Sequence, residues 1–124
     1  MRQLLIIKST KGILILIEVN SRYMRIVIFY DIYETEEVDK LAKKFRDNLI
    51  SLGYFMIQYS VYCKCIGSHT MYDYEIKKIR KILPVKANVR ILLLSEKQYQ
   101  NMLIISGEKN LNEIYNDLED YIEI

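Results

Sequence analysis

Residues 25 to 32 read Arg25-Ile-Val-Ile-Phe-Tyr-Asp-Ile32, and this stretch decides the fold. Its β-branched and aromatic residues suit a pleated surface. Alternation puts Val27 and Phe29 on one side and Ile26, Ile28 and Tyr30 on the other, so the run reads as a central strand covered on both faces. Asp31 at the carboxyl end breaks the pattern. Burying an unpaired carboxylate is costly, so Asp31 needs a cation, a set of donors or an open edge of the structure. It is the first candidate for chemistry.

A helix is expected immediately after this strand. Val38, Leu41, Ala42, Phe45, Leu49 and Leu52 repeat at helical spacing and form one apolar stripe, while Lys43, Lys44, Arg46 and Asp47 face water. Thr35 is a candidate N-cap, Glu36, Glu37 and Asp39 bring negative charge to the positive end of the helix dipole, and Gly53 can close the helix in a left-handed conformation. From Tyr54 to Ile66 the period changes to two, which predicts strand. The pattern alone leaves open one long strand or two bent near Gln58 to Ser60, because no glycine or proline marks a turn. His69, in the loop that follows, reads as a polar surface residue. A second helix is predicted from about Tyr72 to Leu83, stopped by Pro84, with Lys77, Lys78, Arg80 and Lys81 on its outer face and Lys86 beyond. These five cations are candidates for nucleic-acid phosphates, against the plainer reading of a solvated helix face. Val89 to Leu94 predicts a buried strand, Met102 to Ile105 a short one, and Leu111 to Ile122 a helix with an acidic outer side, with Tyr121 to Ile124 open as a closing strand.

The 124 residues make one domain, and 27% charged with 51% hydrophobic content excludes disorder. The net charge of +2 is unevenly spread: +3 over residues 1 to 23, +4 over 24 to 107 and −5 over 108 to 124. A basic body with an acidic tail permits a polyanion partner without demanding one. We therefore divide the chain into an N-terminal extension (1–23), a folded domain (24–107) and an acidic C-terminal tail (108–124). The extension holds two apolar runs, Leu4 to Ile7 and Ile13 to Val19, that suggest a hairpin turning at Lys11-Gly12. Met24 leaves a second reading open, in which the functional protein starts there. No run reaches membrane-spanning length, and no signal peptide is expected, so the expected setting is cytoplasmic with no membrane partner. Cys63 and Cys65 share one face of a strand, too far apart for a comfortable disulfide, and read as reduced thiols without a zinc-ligand pattern around them.

If the middle run splits, the order is βαββαβ, the ferredoxin-like α+β plan, with an antiparallel sheet and both helices on one face. The other face then needs a cover. A second copy of the chain is the simplest one.

Three stretches together, Arg25 to Ile32, Gly53-Tyr-Phe-Met-Ile-Gln-Tyr-Ser-Val-Tyr62 and Asn88-Val-Arg-Ile-Leu-Leu-Leu-Ser-Glu-Lys-Gln-Tyr99, resemble the small CRISPR-associated endoribonuclease family, the smaller subunit of the CRISPR spacer-acquisition integrase. The resemblance covers about residues 21 to 107, and Ser21-Arg-Tyr-Met24 looks like members that accompany a single large RNA-guided effector. It implies a ferredoxin-like homodimer, a split of the middle run into a hairpin, magnesium weakly held near Asp31, and a dimer placed between dimers of the catalytic integrase subunit. Asp31 matches the family's metal-binding aspartate, Tyr30 the aromatic residue before it, and Tyr62 the aromatic position after Gln-Tyr-Ser-Val. Some members with reported nuclease activity have arginines where this chain offers Val38, Lys40 and Met56, so the match to nuclease chemistry is incomplete.

Two functions follow. One is a dimeric, mainly structural bridge that joins catalytic integrase subunits and holds the backbone of a duplex DNA prespacer. The other is a magnesium-dependent endonuclease, acting on single-stranded RNA or double-stranded DNA, in which Asp31 from both chains holds the metal. One carboxylate per chain without a partnering histidine is a thin catalytic set, which favours the bridge. Without the resemblance, a dimeric ligand-binding module indifferent to nucleic acid would stand third, marked by a neutral, unclustered surface.

Overall fold

In the computed structural model, the described residues are 2–8, 14–20, 23–33 and 37–121, with side chains described over 23–33 and 37–116. A first antiparallel pair, β1 (Arg2–Lys8) and β2 (Leu14–Asn20), forms its own two-stranded sheet in the register Arg2 opposite Asn20 to Lys8 opposite Leu14. The expected turn at Lys11-Gly12 lies outside the described residues.

The main sheet is built on β3 (Met24–Ile32), which pairs antiparallel with β5 (Val61–Ile66) on one side and β6 (Ala87–Ser95) on the other. β4 (Phe55–Gln58) adds to β5, giving the order β4-β5-β3-β6. With α1 (Val38–Ser51) between β3 and β4 and α2 (Tyr72–Arg80) between β5 and β6, this is the ferredoxin-like arrangement, and the central position of β3 explains why it is apolar on both faces.

The middle run does split. Tyr59 and Ser60 form a two-residue turn, and Ser60, its second residue, takes φ +61°, a left-handed conformation that glycine or asparagine normally supplies. An irregularity between Met56 and Gln58 shifts the register, so the period-two pattern carried no visible break. Gly53 at φ +95° closes the turn after α1, in the conformation expected for it. At the other end of α1 the capping position is Glu37, whose side chain makes no capping bond, while Thr35 lies outside the described residues.

α1 and α2 cover one face. Ile26 and Ile28 of β3, Tyr62 and Ile66 of β5, Phe45 and Leu49 of α1, Tyr54 and Ile79 form the buried core, each aliphatic or aromatic side chain contributing about 1.5–3 kcal/mol by leaving water. α2 ends at Arg80, short of the predicted Leu83, which stands exposed beside Pro84. The second face holds a smaller cluster of Val27, Phe55, Cys63 and Tyr99.

Two short helices lie towards this face. α3 (Glu96–Gln100) starts in a reciprocal cap: Ser95 Oγ accepts from Gln98 N at 3.1 Å, and Gln98 Oε1 accepts from Ser95 N at 2.9 Å. It turns the chain off the β3–β6 ladder. The short strand expected at Met102 to Ile105 is therefore not formed; the segment is irregular, with Leu103 80% and Ile105 90% exposed. α4 (Leu111–Tyr121) lies against β4 and β2, and Asn110 Nδ2 donates to the carbonyls of Met56 (3.1 Å) and Ile57 (3.2 Å). Helix continues through Tyr121, so no strand begins there, and 122–124 lie outside the described residues.

Candidate functional site at the end of the central strand

At Asp31, two residues beyond its last pair with β5, β3 is paired with β6 alone. The register sets Asp31 opposite Asn88 and Phe29 opposite Arg90, so these four side chains share the face away from α1 and α2. The Tyr59–Ser60 turn closes the same end, with Ser60 O accepting from Tyr30 N at 3.2 Å. Together they line an open cavity of about 390 Å³, in which Asp31, Asn88 and Arg90 are all exposed. Neither Asp31 nor Arg90 is engaged in an ion pair among the described residues.

Tyr30 and Tyr62 lie at this end but on the opposite face. Tyr30 packs edge-on to Phe45, ring centroids 4.8 Å apart, and stacks with Tyr62 at 6.2 Å. Burial, and next the neighbouring Tyr62, pushes the Tyr30 hydroxyl up to about 12, so it is neutral at physiological pH. These rings support the strand end beneath α1 and do not share the face of Asp31.

The five cationic candidates separate. Lys77, Arg80, Lys81 and Lys86 are exposed, whereas Lys78 is drawn inward, 2.8 Å from Glu75 Oε2 and 4.5 Å from the Tyr74 ring centroid. The Glu75 hydrogen bond is the main cause of its raised pKa. Lys86 stands near the Asp31 end, its carbonyl accepting from Tyr33 N at 3.0 Å. Arg80 borders a groove of about 480 Å³ between α2 and β6, and Lys81 faces a smaller cavity together with Lys44.

Among the described residues, four buried charges, Arg25, Glu75, Glu96 and Glu113, escaped the sequence reading. Glu75 is 1% exposed and accepts from Tyr54 OH (3.1 Å), Lys64 Nζ (3.0 Å) and Lys78 Nζ (2.8 Å). Burial alone would raise its pKa, but the Lys78 and Lys64 hydrogen bonds outweigh it and hold the carboxyl below its ordinary value. On the second face Arg25 and Glu96 are joined by two hydrogen bonds, Nε to Oε2 at 2.7 Å and Nη2 to Oε1 at 3.2 Å. The guanidinium lies 4.4 Å from the Tyr99 ring centroid, and Gln100 Nε2 donates to Glu96 Oε1 at 2.7 Å. Burial opposes the Arg25 charge, yet the Glu96 hydrogen bonds and attraction raise its pKa above the ordinary value. Nearby Cys63 is a buried free thiol pushed up to about 12 by burial.

As a magnesium site, the Asp31 cavity offers a hard carboxylate oxygen open to water, which suits the ion's preference for oxygen ligands and retained waters. One chain brings one carboxylate. No group of three or more metal-ligating side chains occurs among the described residues, so within one chain Asp31 would hold such an ion as its single carboxylate ligand, with water filling the other positions.

A four-stranded ferredoxin-like sheet with an open aspartate at the end of its central strand defines a small α+β protein. The family model described as CRISPR associated protein Cas2 matches residues 24–102. A relative from Campylobacter jejuni named CRISPR-associated endoribonuclease Cas2 is 38% identical over 100 residues, covering 80% of this chain and 70% of the relative. Proteins of the same name from Ligilactobacillus salivarius and Streptococcus mutans are 41% identical over 97 residues (77% of this chain, 95% of the relative) and 33% identical over 88 residues (70% and 81%). The chain belongs to the Cas2 family.

Among the described residues, no helix is long and apolar enough to cross a membrane.

Proposed function

We propose that this chain acts in CRISPR spacer acquisition as a dimeric, mainly structural bridge, joining catalytic integrase subunits and holding the backbone of duplex DNA without reading its sequence. The observation that carries the reading is exposed apolar surface on a Cas2-family fold: Phe29 is 38% and Leu92 48% exposed on the sheet face away from α1 and α2, and the segment Met102 to Ile105, beside β4, is exposed as well. Soluble domains cover contiguous apolar surface of this kind with a partner, and a second copy supplies a self-complementary one. The exposed Lys77, Arg80, Lys81 and Lys86 supply charge for phosphates.

Reconstitution tests it. With the cognate integrase subunit and a prespacer-length duplex, spacer integration should depend on adding this protein, which should sediment as a dimer at micromolar concentration. Integration that proceeds equally without it, or a species of only 14.8 kDa at that concentration, refutes the bridge.

A specific observation favours a second reading, an endonuclease: Asp31 is open in a cavity, and the relatives carry the word endoribonuclease in their names. Asp31 from both chains would then hold magnesium, which supplies an activated water and stabilises charge on the phosphate. The chain's own part is to fix two carboxylates at the ends of two rigid strands.

A further inference from the structure

The helix layer carries an apolar cleft with exposed cations beside it. It opens between α1 and the loop that follows α2, holds about 200 Å³, and is lined by Leu41, Ile82, Leu83 and Val85 together with Lys44 of α1 and Lys81 at the end of α2. Leu83 is 43% and Val85 93% exposed. The loop that carries them is fixed in place: Pro84 sets its own φ, and Lys86 O accepts from Tyr33 N at 3.0 Å. Apolar side chains held in water by a rigid loop lose little freedom when a partner covers them. Lys44 and Lys81 are exposed and form no ion pair among the described residues, so both charges are open to carboxylates. A nucleic-acid backbone would match the two lysines and leave Leu83 and Val85 in water. A protein segment with an apolar side chain between acidic ones matches both features. The cleft belongs to the helix layer, opposite the sheet face given above to the second copy, so it stays open in that dimer and occurs once on each chain. A bridge needs two such equivalent sites.

We propose that the catalytic integrase subunit docks on this cleft through an acidic segment, one apolar side chain of which enters between α1 and the loop of residues 83–85 while its carboxylates meet Lys44 and Lys81. The assignment rests on the bridging reading above and adds to it the place and the chemistry of the contact. It turns Lys81 to the protein partner and leaves Lys77, Arg80 and Lys86 for phosphates.

The test is binding of the purified cognate integrase subunit without DNA, measured by interferometry at low and high salt for the wild type, Val85→Ser and the double variant Lys44→Gln/Lys81→Gln. Val85→Ser should weaken binding about tenfold at both salt concentrations, because it removes an apolar anchor and no charge. The double variant should bind more weakly than the wild type at low salt and approach it at high salt, where the lost attraction is screened. Duplex affinity, measured separately by fluorescence anisotropy, should be unchanged in Val85→Ser. A wild type that binds the subunit while both variants match it at either salt overturns the assignment and leaves the bridge standing. No binding of the subunit by the wild type at low salt overturns both. A double variant that loses duplex affinity and keeps subunit affinity gives the cleft to DNA, and a Val85→Ser variant that fails to dimerise in sedimentation gives it to the second copy; either result also overturns the assignment. Val85 and both lysines are exposed, so thermal unfolding of each variant should match the wild type.

Discussion

Arg25 and Asp31 sit on the same strand and the same face, six positions apart, and their surroundings differ completely. At the Arg25 end, α3 closes over the sheet and brings Glu96 against the guanidinium, so both charges are buried and joined by two hydrogen bonds. At the Asp31 end nothing among the described residues closes over the face, and Arg90 stands diagonal to the carboxylate without meeting it. The buried pair is committed to holding α3 on the sheet. The open pair keeps its charges accessible to water. Burial and partnership thus distinguish the charges that build the fold from those left for function.

The largest effect expected from breaking this contrast is at the closed end. Glu96→Ala should destabilise the protein by about 3–5 kcal/mol, because it leaves a buried guanidinium unpaired. Urea unfolding measures this, and a loss below about 1 kcal/mol would mean that water reaches Arg25 in solution.

Glu75 sharpens the comparison on the helix face. Glu75→Gln should cost about 1–3 kcal/mol at neutral pH by leaving Lys64, Lys78 and Tyr54 poorly satisfied. Because the folded-state pKa of Glu75 is held below its ordinary value of 4.5, its stabilisation is present above that value and is lost as pH falls through the depressed one. Unfolding free energies of wild type and variant should therefore converge in acid. A gap that stays constant from neutral pH to well below pH 4.5 would contradict the ionised cluster.

The smallest stability effect is predicted at the open end. Asp31→Asn should change unfolding free energy by no more than about 0.5 kcal/mol, since the side chain is exposed and holds no partner among the described residues, while abolishing any genuine magnesium-dependent cleavage. Cleavage by the variant at the wild-type rate would place the nuclease chemistry elsewhere.

The contrast also explains which features the sequence made legible. The two-faced pattern of Arg25 to Ile32, the apolar stripe of α1 and Gly53 as its closing residue could be read because each is a local periodicity or a local backbone requirement. The β4–β5 turn could not, because Ser60 stands at the positive φ where glycine would have marked it. Ser95 and Gln98 have capping-box spacing, but the apolar run Met102 to Ile105 beyond them predicts a strand that the chain does not form. Asp31 was visible as a carboxylate at a strand end. Asn88 and Arg90 were not, since only the β3–β6 register brings them beside it. Buried Glu75, Arg25 and Glu96 look like surface charges in a linear sequence. Apart from Lys78 beside Glu75 and Gln100 beside Glu96, their partners come from 11 to 71 positions away and appear only when the chain is folded.

Spacer integration in the reconstituted reaction, with Asp31→Ala compared against wild type at equal concentrations of folded dimer, tests the bridging role most directly. A bridge acts through its shape, its dimer contacts and its grip on the DNA backbone, so integration should persist at close to the wild-type rate. Loss of integration by a variant that still folds, dimerises and binds duplex would contradict the bridge and assign the Asp31 carboxylate an essential part in the chemistry.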